Sequence, residues 1–124
     1  MWVFLKDAFF SIVEDRNDRG GRLMVRARFP GDIERHFPGV EVIDHAPGEA
    51  DYRFRAFIDR QRVVGVIADQ VAGIGYVDFK SQVSPDENLR YQSYLGCWSQ
   101  LNRAQHNCRE YGMKDLLDGS DSHG

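Results

Sequence analysis

The segment Tyr52-Arg53-Phe54-Arg55-Ala56-Phe57-Ile58 decides the fold, because its side chains alternate in character from one residue to the next. One set of alternate positions is wholly apolar and comprises Tyr52, Phe54, Ala56 and Ile58. The other set comprises Arg53, Arg55 and Phe57. A period of two residues is typical of a β-strand with one buried face. The segment therefore predicts a strand whose arginines point away from the core.

The same alternation occurs in Leu23-Met24-Val25-Arg26-Ala27-Arg28-Phe29, which predicts a second strand of this kind. We therefore expect one exposed sheet face to carry Arg26, Arg28, Arg53, Arg55 and Phe57. Guanidinium groups bind phosphates and carboxylates through planar, bidentate contacts, and an aromatic ring can stack on a base or anchor a protein partner. The ordinary alternative is a solvated face whose arginines pair with Asp or Glu.

The remaining elements of the first half predict an α+β domain. Trp2 to Glu14 is rich in aromatic and β-branched residues and predicts a first strand, which the turn-forming run Asp15 to Gly21 joins to the strand at Leu23 to Phe29 in a β-hairpin. A short helix is expected after Pro30-Gly31-Asp32, and Val40 to Ile43 is a weak strand. The order β-β-α-β-β-α-α favours a four-stranded antiparallel sheet with helices packed on one face, loosely ferredoxin-like.

Two helices are expected in the second half of the chain. Residues 63–71 carry apolar side chains at helical spacing, and Ser84-Pro85-Asp86-Glu87 has the form of a capping box that starts a long helix. We expect this long helix to pack on the sheet through Tyr91, Tyr94, Leu95, Trp98, Leu101 and Cys108. The sequence thus predicts a single domain over residues 1–112 and a disordered tail over residues 113–124.

Composition limits the classes of function. The chain has 124 residues, 42% of them hydrophobic and 28% charged, with a formal net charge of −3. A protein coated with positive charge is excluded, so any nucleic-acid contact would come from a local patch. The apolar N-terminus is interrupted by Lys6 and Asp7, and no window approaches the roughly 20 apolar residues that span a bilayer. We expect a soluble, cytoplasmic protein without membrane contact.

No metal site, cofactor or catalytic residue is predicted. Cys97, His106 and Cys108 are close in sequence, but on one helix the two cysteines would lie about 16 Å apart. His106 would point to the opposite side of that helix from Cys108. Gly73-Ile74-Gly75 lacks the third glycine of a dinucleotide-binding loop. The chain therefore offers no strong signature of a reaction.

Several short motifs resemble those of a family of small uncharacterised bacterial proteins. They are Met1-Trp2-Val3-Phe4, Phe9-Phe10-Ser11-Ile12-Val13, Asp51-Tyr52-Arg53-Phe54-Arg55 and Tyr76-Val77-Asp78-Phe79-Lys80. The resemblance extends over residues 1–101 and preserves the order of the motifs. It implies one domain, and it assigns no activity, cofactor or site residue.

The leading interpretation is a non-enzymatic binding or regulatory protein. It would use the arginine-bearing sheet face against an acidic protein surface or a nucleic-acid backbone. Binding proteins of this kind include phage-encoded inhibitors that occlude host machinery. One alternative is a small enzyme with an acid-base site near Asp51, Tyr52, Asp78 and Lys80. Another is a structural or oligomerising module, of which a homodimer is the simplest form.

Overall fold

The computed structural model describes the backbone of residues 1–111 and the side chains of residues 1–108. The chain divides into two compact units, residues 1–82 and residues 83–124. The tail predicted over residues 113–124 lies outside the described residues. The single domain predicted over residues 1–112 stays a prediction.

Residues 1–82 contain a five-stranded antiparallel sheet. Its strands are β1 (Trp2–Leu5), β2 (Ala8–Glu14), β3 (Arg22–Ala27), β4 (Ile43–Asp44) and β5 (Phe54–Asp59). Their order across the sheet is β1-β2-β3-β5-β4, and each neighbouring pair is antiparallel. The prediction of an α+β fold with an antiparallel sheet is confirmed.

The sheet has one strand more than the four predicted, because the segment Trp2 to Glu14 is itself a hairpin. The chain turns at Lys6 and Asp7, and Leu5 pairs with Ala8 across this turn. Polar residues at these two positions suit a tight, solvated turn between apolar strands. The interruption of the apolar run at Lys6 was therefore the signal of a chain reversal.

Two helices of this unit, α1 (Asp32–His36) and α2 (Arg60–Ala72), pack on one face of the sheet. The buried core between them and the strands comprises Ala8, Phe10, Ile12, Val25, Ala27, Ile33, Phe37, Phe54, Ala56, Ile58 and Val63. Burial of each large apolar side chain contributes roughly 1.5–3 kcal/mol. In β3 and β5 the core positions are those that alternate with the arginines, so the arginines face the other way.

The second unit contains α3 (Asn88–Tyr111). The predicted capping box forms a turn instead, in which the amide of Glu87 donates to the carbonyl of Ser84 at 2.9 Å, and the helix begins at Asn88. Tyr94 is buried, whereas Leu101 is 72% exposed. The packing of this helix on the sheet stays a prediction. No helix of the described residues is long and apolar enough to cross a membrane.

Candidate functional site

A row of directly paired residues crosses the sheet on the face opposite α1 and α2. Trp2 pairs with Ser11, Ser11 with Arg26, Arg26 with Arg55, and Arg55 with Ile43. Directly paired residues of an antiparallel sheet point to the same face. This transverse row therefore places two guanidinium groups at its centre and one apolar side chain at each end.

Arg26 is anchored to the sheet by a neutral acceptor. Its Nη2 donates a hydrogen bond to Oγ of Ser11 at 2.6 Å, and Ser11 is only 1% exposed. A hydroxyl accepts the hydrogen bond without cancelling the positive charge. Among the described residues no carboxylate forms an ion pair with Arg26. The contact with Ser11 therefore fixes the position of the Arg26 guanidinium and leaves its positive charge uncompensated.

The ring of Tyr52 contacts two of the arginines. The guanidinium carbon of Arg26 lies 4.6 Å from the ring centroid and that of Arg28 lies 4.1 Å from it. The alternation in the sequence groups Tyr52 with Phe54, and Tyr52 is indeed buried at 4% exposed, but its ring packs on arginines instead of joining the core cluster, because the chain bends over residues 51–53 before β5 begins. Each cation–π contact of this type contributes about 0.5–2 kcal/mol.

Asp51 contacts two of the arginines, Arg28 and Arg55. Its carbonyl accepts a hydrogen bond from Nη1 of Arg28 at 2.8 Å, and its Oδ1 lies 3.3 Å from Nη2 of Arg55. We call Arg26, Arg28, Arg55, Tyr52 and Asp51 the arginine cluster. The arginine cluster contains three guanidinium groups and one carboxylate, and it therefore carries a net positive charge.

The arginine cluster contains two buried donors that lack acceptors. Nε of Arg26 and Nε of Arg55 are both buried and have no hydrogen-bond partner among the described residues. A buried, unpaired donor costs about 1–3 kcal/mol. Natural proteins commonly carry such local costs where a surface serves a function. The arrangement therefore differs from that of ordinary solvated surface arginines.

Arg53, the fourth arginine of the predicted group, does not join the arginine cluster. Its Nε and Nη2 donate to the two carboxylate oxygens of Asp44 at 2.8 and 3.2 Å. The hydrogen bond from Arg53 lowers the pKa of Asp44, and the hydrogen bond to Asp44 raises the pKa of Arg53. Because the pair is internally compensated, it offers little charge to a partner.

Exposed apolar side chains border the arginine cluster. Trp2 is 67% exposed, and Ile43 and Phe57 are partly exposed as well. Phe57 lies on the predicted face, but its ring contacts the guanidinium of Arg22 at 5.2 Å rather than the arginine cluster. Arginine and aromatic residues are the side chains that most often dominate binding at protein interfaces.

A cleft of about 870 Å³ lies elsewhere in the same unit. It is lined by Val3 to Asp7, by His36, by the end of α2 and by residues of the segment 73–82. Nε2 of His36 lies 2.8 Å from Oδ1 of Asp7, and the side chain of His36 is only 10% exposed. No local sequence pattern indicates this pair, because the two residues are 29 positions apart.

The four residues of the predicted acid-base site lie in two places. Asp51 and Tyr52 belong to the arginine cluster, whereas Asp78 lines the cleft. Lys80 begins a short 3₁₀ helix, Lys80–Gln82, and its amide donates to Oδ1 of Asp78 at 3.2 Å. This contact is typical of a side chain that stabilises a turn. Within residues 1–108, no group of three or more His, Cys, Asp or Glu side chains is placed to hold a metal ion.

Comparison of the chain with protein-family models, with curated proteins and with solved structures finds no match. The resemblance to small bacterial proteins stays a prediction. Function is therefore argued from the chemistry of the two sites described above.

Proposed function

We propose that the chain is a non-enzymatic binding protein whose arginine cluster takes an acidic protein surface. The transverse row carries this proposal, because Arg26 and Arg55 lie at its centre and exposed Trp2 at one end. Charged groups at an interface fix orientation and speed association, while buried aromatic and arginine anchors supply most of the affinity. A partner with carboxylates flanked by apolar side chains matches both features.

A protein partner is favoured over a nucleic-acid backbone by the composition of the face. A nucleic acid needs a series of cations, each of which neutralises a phosphate. Here Asp51 lies within the arginine cluster, and exposed apolar side chains border it. The formal net charge of −3 adds no long-range attraction toward a polyanion.

The ferredoxin-like arrangement, the cytoplasmic location and the regulatory effect that the sequence predicts are part of the same proposal. A loosely ferredoxin-like sheet would leave one face for the partner, and a cytoplasmic protein of this kind would act by occluding a functional surface of its target. Regulation or inhibition is the effect that such occlusion produces.

The test compares two fluorescent probes of equal formal charge, a short peptide of alternating glutamate and leucine and a thymidine oligonucleotide. We expect the peptide to bind more tightly in anisotropy titrations, and its affinity to fall as added salt screens the charges. Tighter binding of the oligonucleotide, with a steep salt dependence, would assign the face to nucleic acid. Binding of neither probe would overturn the proposal.

Arg28 and Arg53 provide a matched pair of variants, because both are exposed and only Arg28 belongs to the arginine cluster. We expect Arg28→Gln to weaken peptide binding by about 10- to 150-fold, which corresponds to one lost charged hydrogen bond. Arg53→Gln should leave the affinity nearly unchanged. Equal losses in both variants would show that the probe senses net charge alone.

A further inference from the structure

We propose that the cleft binds a small amphipathic cation, namely an amine or guanidine attached to an aliphatic or aromatic body. Its volume of about 870 Å³ falls in the range of small-molecule sites, roughly 300–1,000 Å³. This site shares no residue with the arginine cluster, and the proposal does not depend on the function assigned to that cluster.

The cleft has an apolar wall that a hydrocarbon body can cover. Val3, Leu5 and Ile67 line it and are partly buried against the core. Val71 and Ile74 line it as well and are more than half exposed. Apolar side chains left in water next to a concave surface favour an apolar ligand, because contact removes both surfaces from water.

The charged lining of the cleft is predominantly acidic. Its carboxylates belong to Asp7, Asp69 and Asp78, and they are balanced only by the ammonium of Lys6 and the imidazole of His36. His36 is already held by Asp7 at 2.8 Å. This lining attracts a cation and repels an anion of the same shape.

Asp69 and Asp78 are the carboxylates that remain open to a ligand. Both side chains are exposed, and neither forms an ion pair with a described residue. Among the described residues the carboxylate of Asp78 accepts only the amide of Lys80, which leaves further acceptor positions on it, while the hydroxyl of Ser81 donates to the carbonyl of Asp78. A ligand ammonium beside these groups would therefore replace water without displacing an existing ion pair.

The test uses three probes with the same alkyl chain: octylamine, octanoate and octanol. Binding is followed through the backbone amide signals of residues 3–7, 36 and 67–82 in NMR titrations of the full chain. We expect octylamine to bind about fivefold to tenfold more tightly than octanoate, with octanol between them. Equal affinity for octanoate, or shifts that lie outside these segments, would overturn the proposal.

The double variant Asp69→Asn with Asp78→Asn should remove the preference for octylamine and keep the affinity for octanol. Asp59→Asn is the matched control, because Asp59 is exposed and does not line the cleft. Should the double variant fail to fold, added salt provides the same comparison in the unmodified protein, since it should weaken octylamine and leave octanol unchanged. If the preference for octylamine is the same in the double variant and in added salt, the carboxylates of the cleft do not select the ligand, and the proposal is contradicted.

Discussion

Arg26 and Arg55 lie directly opposite each other on β3 and β5, so two like charges occupy paired positions of one sheet face. Like charges in this arrangement destabilise an antiparallel pair by a few tenths of a kcal/mol to about 1 kcal/mol. The structure gives each guanidinium its own acceptor, Ser11 for Arg26 and Asp51 for Arg55. The two arginines are therefore tolerated by the sheet rather than required by it.

Replacement of Arg55 by Thr should raise the free energy of unfolding by about 0.5–1 kcal/mol. It removes the like-charge pair with Arg26 and one buried unpaired Nε, and threonine suits a strand. The same variant should weaken binding of the acidic peptide. Urea denaturation and anisotropy titration measure the two effects. Lower stability of Arg55→Thr would show that the contact with Asp51 outweighs the repulsion.

Tyr52 should contribute to stability mainly through its ring. Tyr52→Leu should lower the free energy of unfolding by about 2–3 kcal/mol, because a 4% exposed ring that contacts Arg26 and Arg28 is lost. Tyr52→Phe keeps the ring and should cost less than about 1 kcal/mol. Urea denaturation of both variants tests this, and similar losses would mean that the hydroxyl matters more than the ring.

Arg53→Gln should raise the pKa of Asp44 toward its ordinary value, because a hydrogen bond from Arg53 lowers it in the folded protein. A carboxyl with a lowered pKa in the folded state stabilises the fold above its unfolded pKa, and this contribution is lost as the pH falls through the folded pKa. The variant should therefore lose this acid-dependent part of its stability.

Carboxyl ¹³C NMR titration of Asp44 measures the shift directly. Arg28→Gln is the control, because Arg28 contacts Asp51 and Tyr52 and makes no contact with Asp44 among its described interactions. It should leave the titration midpoint of Asp44 in place. A midpoint that is the same in Arg53→Gln and in the unmodified protein would contradict the bidentate pair.

Local alternation predicted the orientation of Arg26 and Arg55, because a period of two within a strand fixes which side chains share a face. It did not predict the partners of Tyr52 and Arg53, which precede β5 in a bend where alternation no longer sets direction. Strand order is a long-range property. The opposition of Arg26 and Arg55 therefore could not be read from either strand alone.

The cleft was invisible in the sequence for a related reason. His36 and Asp7 meet only because α1 packs beside the β1–β2 hairpin turn. The polar dipeptide at Lys6 and Asp7 carries a local signal of a turn within an otherwise apolar run. The turn at Lys6 and Asp7 could thus be predicted from local sequence, whereas the contact of Asp7 with His36 could not.

Replacement of glycine by alanine should change the free energy of unfolding in opposite directions at Gly31 and Gly65. Gly31 precedes α1 with φ of 86°, a left-handed conformation that a Cβ disfavours, and its Cβ would meet only Nη2 of Arg35 at 3.8 Å. Gly31→Ala should therefore lower the free energy of unfolding by about 1 kcal/mol through backbone strain.

Gly65 lies inside α2, and a Cβ there would meet nothing within 4 Å. Gly65→Ala should raise the free energy of unfolding by about 0.5–1 kcal/mol, because alanine loses less backbone entropy in a helix. Urea denaturation of the full chain measures both changes, and changes of the same sign would contradict the backbone conformation at one of the two positions.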